Sequence, residues 1–155
     1  MRAARGGPVG DGIHDDTAAI QALLDTGSPV VHLATPSRHY LISRPLRIHA
    51  SQALELDRFA LIRLAPKSDC LMLENADQES GDANIAVRGG IWDMDNLRQT
   101  PNPLAVPTPA LKAQTTYVAS TYLGIGMRFV NVRGLTLQGL TFKDPVTFCV
   151  QLCRA

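Results

Sequence analysis

Ile85-Ala86-Val87-Arg88-Gly89-Gly90-Ile91-Trp92 can be laid without a gap over Leu135-Thr136-Leu137-Gln138-Gly139-Leu140-Thr141-Phe142. In both copies alternating apolar residues lead into a glycine and then into an aromatic, the period-two pattern of a strand followed by a bend. The copies start 50 residues apart, but residues 97–123 between them carry Pro101, Pro103, Pro107 and Pro109 with no sustained period, as an insertion does. Removing those 27 residues leaves an offset of 23, on the order of one turn of three short strands. Units of that kind bury their apolar interior only by stacking on one another, so the repeat predicts a solenoid.

Working outward from the repeat, short period-two pieces occur at Val30 to Leu33, Tyr40 to Ser43, Leu46 to Ile48, Leu54 to Leu64, Cys70 to Leu73, Met127 to Val132 and Thr147 to Leu152. No Asn-Gly or Asp-Gly pair separates them, which argues against a meander of tight hairpins. Leu54 to Leu64 reads as an earlier, less regular coil. Helical spacing appears at Asp16 to Gly27, where Ile20, Leu23 and Leu24 share a face. Asp15 or Asp16 can accept hydrogen bonds from the first helical N–H groups, and Gly27 can take the left-handed conformation that closes the far end. That helix is expected to plug the N-terminal end of the stack.

The chain has 155 residues, 45% hydrophobic and 19% charged, which suits one ordinary folded domain. Its formal net charge of +1 disfavours bulk nucleic-acid binding, where affinity comes mainly from neutralising phosphates. No apolar run approaches the roughly 18 residues that cross a bilayer. The opening MRAARGGPVG lacks the apolar segment of a secretory signal, so either the chain stays inside the cell or its true start lies elsewhere, and the location is left open. Cys70, Cys149 and Cys153 fit neither a disulfide framework nor a zinc knuckle and are expected to be buried thiols. His14, His32, His39 and His49 form no ligand pair, and neither a metal nor another cofactor is implied.

The segment Gly10-Asp11-Gly12-Ile13-His14-Asp15-Asp16-Thr17-Ala18-Ala19-Ile20-Gln21 resembles the opening of the pectate-lyase-like parallel β-helix superfamily. Asn84-Ile85 through Arg88-Gly89-Gly90-Ile91-Trp92-Asp93 is similar to one of its coils. Gly124 to Val132 and Phe142-Lys143-Asp144-Pro145 are similar to coils of glycoside hydrolase family 28, the polygalacturonase family. The resemblance spans essentially the whole chain and implies an all-β fold: a right-handed parallel β-helix with an N-terminal capping α-helix. The expected organisation is one domain, with a cap at about 10–27, coils at about 30–96 and 124–153, and a Pro-rich insertion at about 97–123. It also implies a polysaccharide partner of the polyuronide type. The family's Asn-x-Asp, Asp-Asp, Gly-His-Gly and Arg-x-Lys motifs do not follow the matched coils, so no catalytic residue is carried over.

Candidate binding residues come from the last coils. Asp93 and Asp95 have strand spacing and can face one way, as an acid pair or a calcium ligand set requires, or they can hold the backbone of a turn. Arg128, Arg133 and Lys143 are basic groups of the kind that hold uronate carboxylates, or members of a solvated face. Trp92 and Tyr117 can stack on sugar rings, although the repeat places Trp92 where Phe142 falls and so favours the interior. Asp93, Asp95, Arg128 and Lys143 are retained as substrate-binding candidates. Two functions remain open: the N-terminal portion of a polygalacturonase-like enzyme whose catalytic coils are missing from this chain, or a non-catalytic glycan-binding or tail-spike-like β-solenoid module. A final coil without a successor is expected to drive self-association.

Overall fold

The computed structural model describes residues 6–100 and 124–153. Among these, one α-helix, α1 (Thr17–Leu24), precedes twelve strands, β1 (Val30–Leu33), β2 (Tyr40–Ile42), β3 (Leu46–Ile48), β4 (Ala53–Leu56), β5 (Leu61–Leu64), β6 (Leu73–Asn75), β7 (Ala83–Arg88), β8 (Ile91–Asp93), β9 (Met127–Val130), β10 (Arg133–Gln138), β11 (Thr141–Lys143) and β12 (Val150–Cys153). The strands form three parallel sheets, in the orders β1-β4-β7-β10, β2-β5-β8-β11 and β3-β6-β9-β12. Each turn of the chain places one strand in each sheet, so the molecule is a right-handed parallel β-helix of four coils behind a short helix.

The sequence repeat is a structural register. Leu135 pairs with Ile85, Leu137 with Val87, and Phe142 with Trp92. The first coil pairs with the second at the deduced offset of 23 residues, Val30 opposite Ala53, and β12 returns to β9 at the same offset, Val150 opposite Met127. Leu54 to Leu64 is not one irregular piece but two strands of a full coil, separated by a corner that Ala60 N–H closes on the Asp57 carbonyl at 2.9 Å. The Pro-rich residues 101–123, Tyr117 among them, lie outside the described residues.

Alternation decides what the stack buries. Inward positions form rows running through the coils, including Ile62, Trp92 and Phe142 in one sheet and Leu73 and Met127 in another. Ile62, Leu73, Trp92 and Met127 are fully buried. The Trp92 indole donates to the Gly89 carbonyl at 3.2 Å, so even this polar edge is satisfied inside the core. Gly89 itself is obligatory. It sits at φ +72°, and a Cβ there would lie 2.2 Å from the Leu56 carbonyl oxygen of the preceding coil.

An eight-residue helix is marginal alone and holds through packing. Ile20 and Leu24 are fully buried against the first coil. Gln21 binds the backbone of Arg47 in both directions, its Nε2 donating to the Arg47 carbonyl at 3.0 Å and its Oε1 accepting from Arg47 N–H at 2.8 Å. The two aspartates at the helix start divide their work. Asp15 caps the helix by accepting Thr17 N–H at 2.9 Å. Buried Asp16 makes no such cap bond and instead accepts from Val9, Gly10 and Leu41 N–H, sealing the entering chain to β2. Gly27 has φ +75°, as the helix end requires.

Packing thins at the last coil. Ile85, Val87 and Phe129 are buried, whereas their successors Leu135 and Leu137 are half-buried and Leu152 is 66% exposed. Strand β12 begins later than its sequence pattern predicts, so Cys149 lies outside it and does not share a strand face with Cys153. All three cysteines are half-buried rather than core residues, although burial followed by the nearby Asp69 carboxylate pushes the Cys70 thiol up to about 12.

Two measurements check this account. Gly89→Ala should lose about 3 kcal/mol or more in urea denaturation, because backbone strain adds to a clash with a carbonyl, whereas Gly27→Ala, with open space around it, should lose about 1 kcal/mol. Equal losses would show that the inter-coil approach at Gly89 is unimportant. Leu152→Lys, at a side chain 66% exposed, should by contrast stay within about 0.5 kcal/mol of wild type in the same urea denaturation.

Candidate functional site

The outward positions of the strands carry charge, and the parallel register lines the charges up. On the first sheet Glu55 pairs with Arg88, Oε1 to Nη1, at 2.9 Å. On the second, Arg63 of β5, Asp93 of β8 and Lys143 of β11 stand in one row across three coils. On the third, Arg47 of β3, Glu74 of β6 and Arg128 of β9 do the same. Each of these longer rows is cation, carboxylate, cation.

Asp93 centres the second row with no side-chain exposure. Its Oδ2 accepts from Arg63 Nη2 at 2.7 Å, Arg63 Nε at 2.9 Å and Lys143 Nζ at 3.1 Å, while Oδ1 accepts Asp95 N–H at 2.9 Å. Burial opposes ionisation, but the hydrogen bonds from Arg63 and Lys143 outweigh it and hold the carboxyl below its ordinary range. Lys143 is held up mainly by its hydrogen bond to Asp144, at 2.6 Å, and next by Asp93. Strand β8 ends at Asp93, and Asp95 turns out of it with φ +50° to start a 3₁₀ turn at Asn96–Arg98, where its Oδ2 lies 2.7 Å from Arg98 Nε. The strand spacing expected for the two aspartates therefore does not extend to Asp95. Asp93 and Lys143 come together, and Arg128 sits on another face.

That other face is concave. A cavity of about 760 Å³ lies between α1 and the first coil, lined by Thr17, Gln21, Asp25, Arg44, Arg47 and His49 among others. A second, of about 540 Å³, is lined by Arg47, Glu74, Gln78, Glu79 and Arg128 among others. Both include Arg47 and Ala76, so they form one groove running along the solenoid axis from the cap to the third coil. Glu74 is its buried anchor. Glu74 Oε1 accepts from Arg47 Nε at 3.0 Å, Oε2 accepts from Gln78 Nε2 at 2.8 Å, and Oε2 lies 3.6 Å from Arg128 Nη2. A carboxylate clamped this way fixes Arg47 and Gln78, and Gln78 Oε1 in turn accepts from Arg128 Nη2 at 3.0 Å.

Of the sequence candidates, Arg128 lines this groove, and Asp93, Asp95 and Lys143 do not. Sequence reasoning passed over Arg63, Arg44, Arg47 and Glu74, and weighed His49 only as a metal ligand. Arg47, Glu74 and Arg128 each follow a buried residue at the start of an inward-facing stretch, in Leu46-Arg47-Ile48, Leu73-Glu74-Asn75 and Met127-Arg128-Phe129, and that shared place was the available signal. Among the described residues no group of three or more His, Cys, Asp or Glu side chains could hold a metal ion, and no helix is long and apolar enough to cross a membrane.

No protein-family model matches the chain, and no curated protein matches it. Solved structures do. Two structures of PfbA, a surface adhesin of Streptococcus pneumoniae, superpose with a TM-score of 0.61 at 24% sequence identity over 89% of this chain. The shared part is 32% of one of those chains and 34% of the other, so this chain spans about a third of their length. The likeness shows a common β-helix fold.

Removing the charge of Asp93 tests the second row. Asp93→Asn leaves two cations facing each other and should destabilise by about 3 kcal/mol at pH 7. A carboxyl held below its unfolded range stabilises above about pH 4, and the contribution is lost as pH falls further. Urea denaturation at pH 7 and pH 3 should therefore show the gap between wild type and variant closing in acid.

Proposed function

We propose that this chain is a non-catalytic β-solenoid module that binds an extended glycan of the polyuronide type along the groove of the β3-β6-β9 sheet. One observation carries the reading: the groove follows the solenoid axis, and along it the row Arg47, Glu74, Arg128 places a polar side chain on each of the first three coils, with the exposed Arg47 backed by the buried Glu74 and Arg128. Neighbouring strands are roughly 4.8 Å apart, so a polymer lying on this face meets side chains at a short, regular interval. Guanidinium groups prepared by a carboxylate suit sugar hydroxyls and uronate carboxylates, which they hold through paired hydrogen bonds. Arg47 is the accessible member, with 64% of its side chain exposed.

The likeness to a surface adhesin supports a binding role over hydrolysis, as does the tie of each row's central carboxylate to two cations. Resemblance to family 28 glycosidases keeps hydrolysis as the competing reading, with this chain as the N-terminal portion of such an enzyme. In the binding reading Arg47 contacts the glycan and the buried Arg128 supports the groove from behind through Gln78, while Asp93, Asp95 and Lys143 lie on the neighbouring face.

Isothermal titration with oligogalacturonate should detect binding that Arg47→Ala weakens roughly tenfold, by analogy with the loss of a charged hydrogen-bond partner. Reducing-sugar and unsaturated-product assays should find no turnover. Turnover abolished by Asp93→Asn would overturn the proposal in favour of the enzyme.

A further inference from the structure

The two ends of the groove differ in charge and in construction. Against α1, Arg44 and Arg47 are exposed and His49 is about half exposed, and all three line the 760 Å³ cavity with Ala18, Ala22 and Pro45 as its apolar wall. Beyond Arg47 the groove is dominated by the carboxylates Glu74, Asp77 and Glu79. An anionic group entering the groove is therefore drawn to the cap end.

We propose that the cap end of the groove is an anion subsite in which the exposed Arg44 and Arg47 seat a carboxylate of the bound glycan, with His49 held beside them by Asp25. The inference rests on the glycan-binding reading and adds to it a position. His49 Nε2 lies 2.9 Å from Asp25 Oδ1 at the end of α1, and Gln21 Nε2 donates to the same oxygen at 2.8 Å. Hydrogen bonds from His49 first, and from Gln21 next, hold the Asp25 carboxyl below its ordinary range, so Asp25 stays charged through mildly acidic pH. The groups facing His49 are thus Asp25 and Gln21 from the helix and Arg44 and Arg47 from the first coil, with Arg47 held by Glu74 of the second coil. The backbone N–H of His49 donates to Gln52 Oε1 at 3.3 Å and its ring is tied to Asp25, so His49 is fixed in place while Arg44 and Arg47 supply the positive charge of the subsite.

The test is titration calorimetry at pH 7 with two probes, oligogalacturonate and its fully methyl-esterified form. Wild type should bind the acid form roughly tenfold more tightly than the ester. Arg44→Gln should weaken binding of the acid form roughly fivefold and leave binding of the ester unchanged, and circular dichroism confirms that the variant is folded. Equal binding of both probes by wild type, or an Arg44→Gln variant that keeps wild-type affinity for the acid form, overturns the subsite and leaves the glycan reading standing. Absence of binding by either probe overturns both.

Discussion

Parallel register between coils is the constraint on which this molecule depends. The apolar interior alone does not fix it, because inward and outward residues alternate with a period of two and a slip of two residues leaves every apolar side chain facing inward. What such a slip breaks is the outward charge. Moved by two positions, Asp93 would leave Arg63 and Lys143, and Glu74 would leave Arg47 and Arg128. The rows of alternating sign therefore do for a parallel stack what cross-strand pairs do for an antiparallel sheet, and they do it between residues distant in sequence.

The same rows explain how function is built on the fold. A buried carboxylate flanked by two cations is mediocre as a source of stability, since desolvation consumes much of the attraction. It is effective at fixing where the cations point. On the second sheet that fixing is nearly complete, with Asp93 fully enclosed and Arg63 only 24% exposed. On the third the outer cation remains accessible, and there the helix α1 leans over the sheet to make a groove. The face proposed to bind is the one whose row ends in the more exposed cation, Arg47 at 64% against Lys143 at 45%.

Much of the fold was legible because a coil repeats its inward pattern. The match of Ile85 to Trp92 with Leu135 to Phe142 gave the true register once the Pro-rich stretch was set aside, and Trp92 proved to be interior as its position over Phe142 implied. Element edges were less legible, since a corner such as Asp57 to Ala60 is written in backbone hydrogen bonds rather than in side-chain period. The site was hardest to read. Arg47 and Glu74 are 27 positions apart and Glu74 and Arg128 are 54, so no local pattern connects them, and unequal corners hide the common register. For Asp93 and Asp95 the sequence offered an acid pair or holders of a turn's backbone, and the second is seen where Asp93 Oδ1 accepts Asp95 N–H just past the end of β8.

Those unequal corners have an evolutionary meaning. Eight residues separate β5 from β6, while thirty-three separate β8 from β9 at the corresponding corner one coil later. The entropy of closing a loop grows only logarithmically with its length, at about 0.6 kcal/mol per doubling, so a fourfold increase in the residues at a corner of a solenoid costs on the order of 1 kcal/mol. A residue added within a strand, by contrast, turns every later side chain of that strand inside out. Selection can therefore edit chain length freely at the corners while leaving the strands untouched, and a solenoid of this design can acquire a new loop beside its groove in a single insertion.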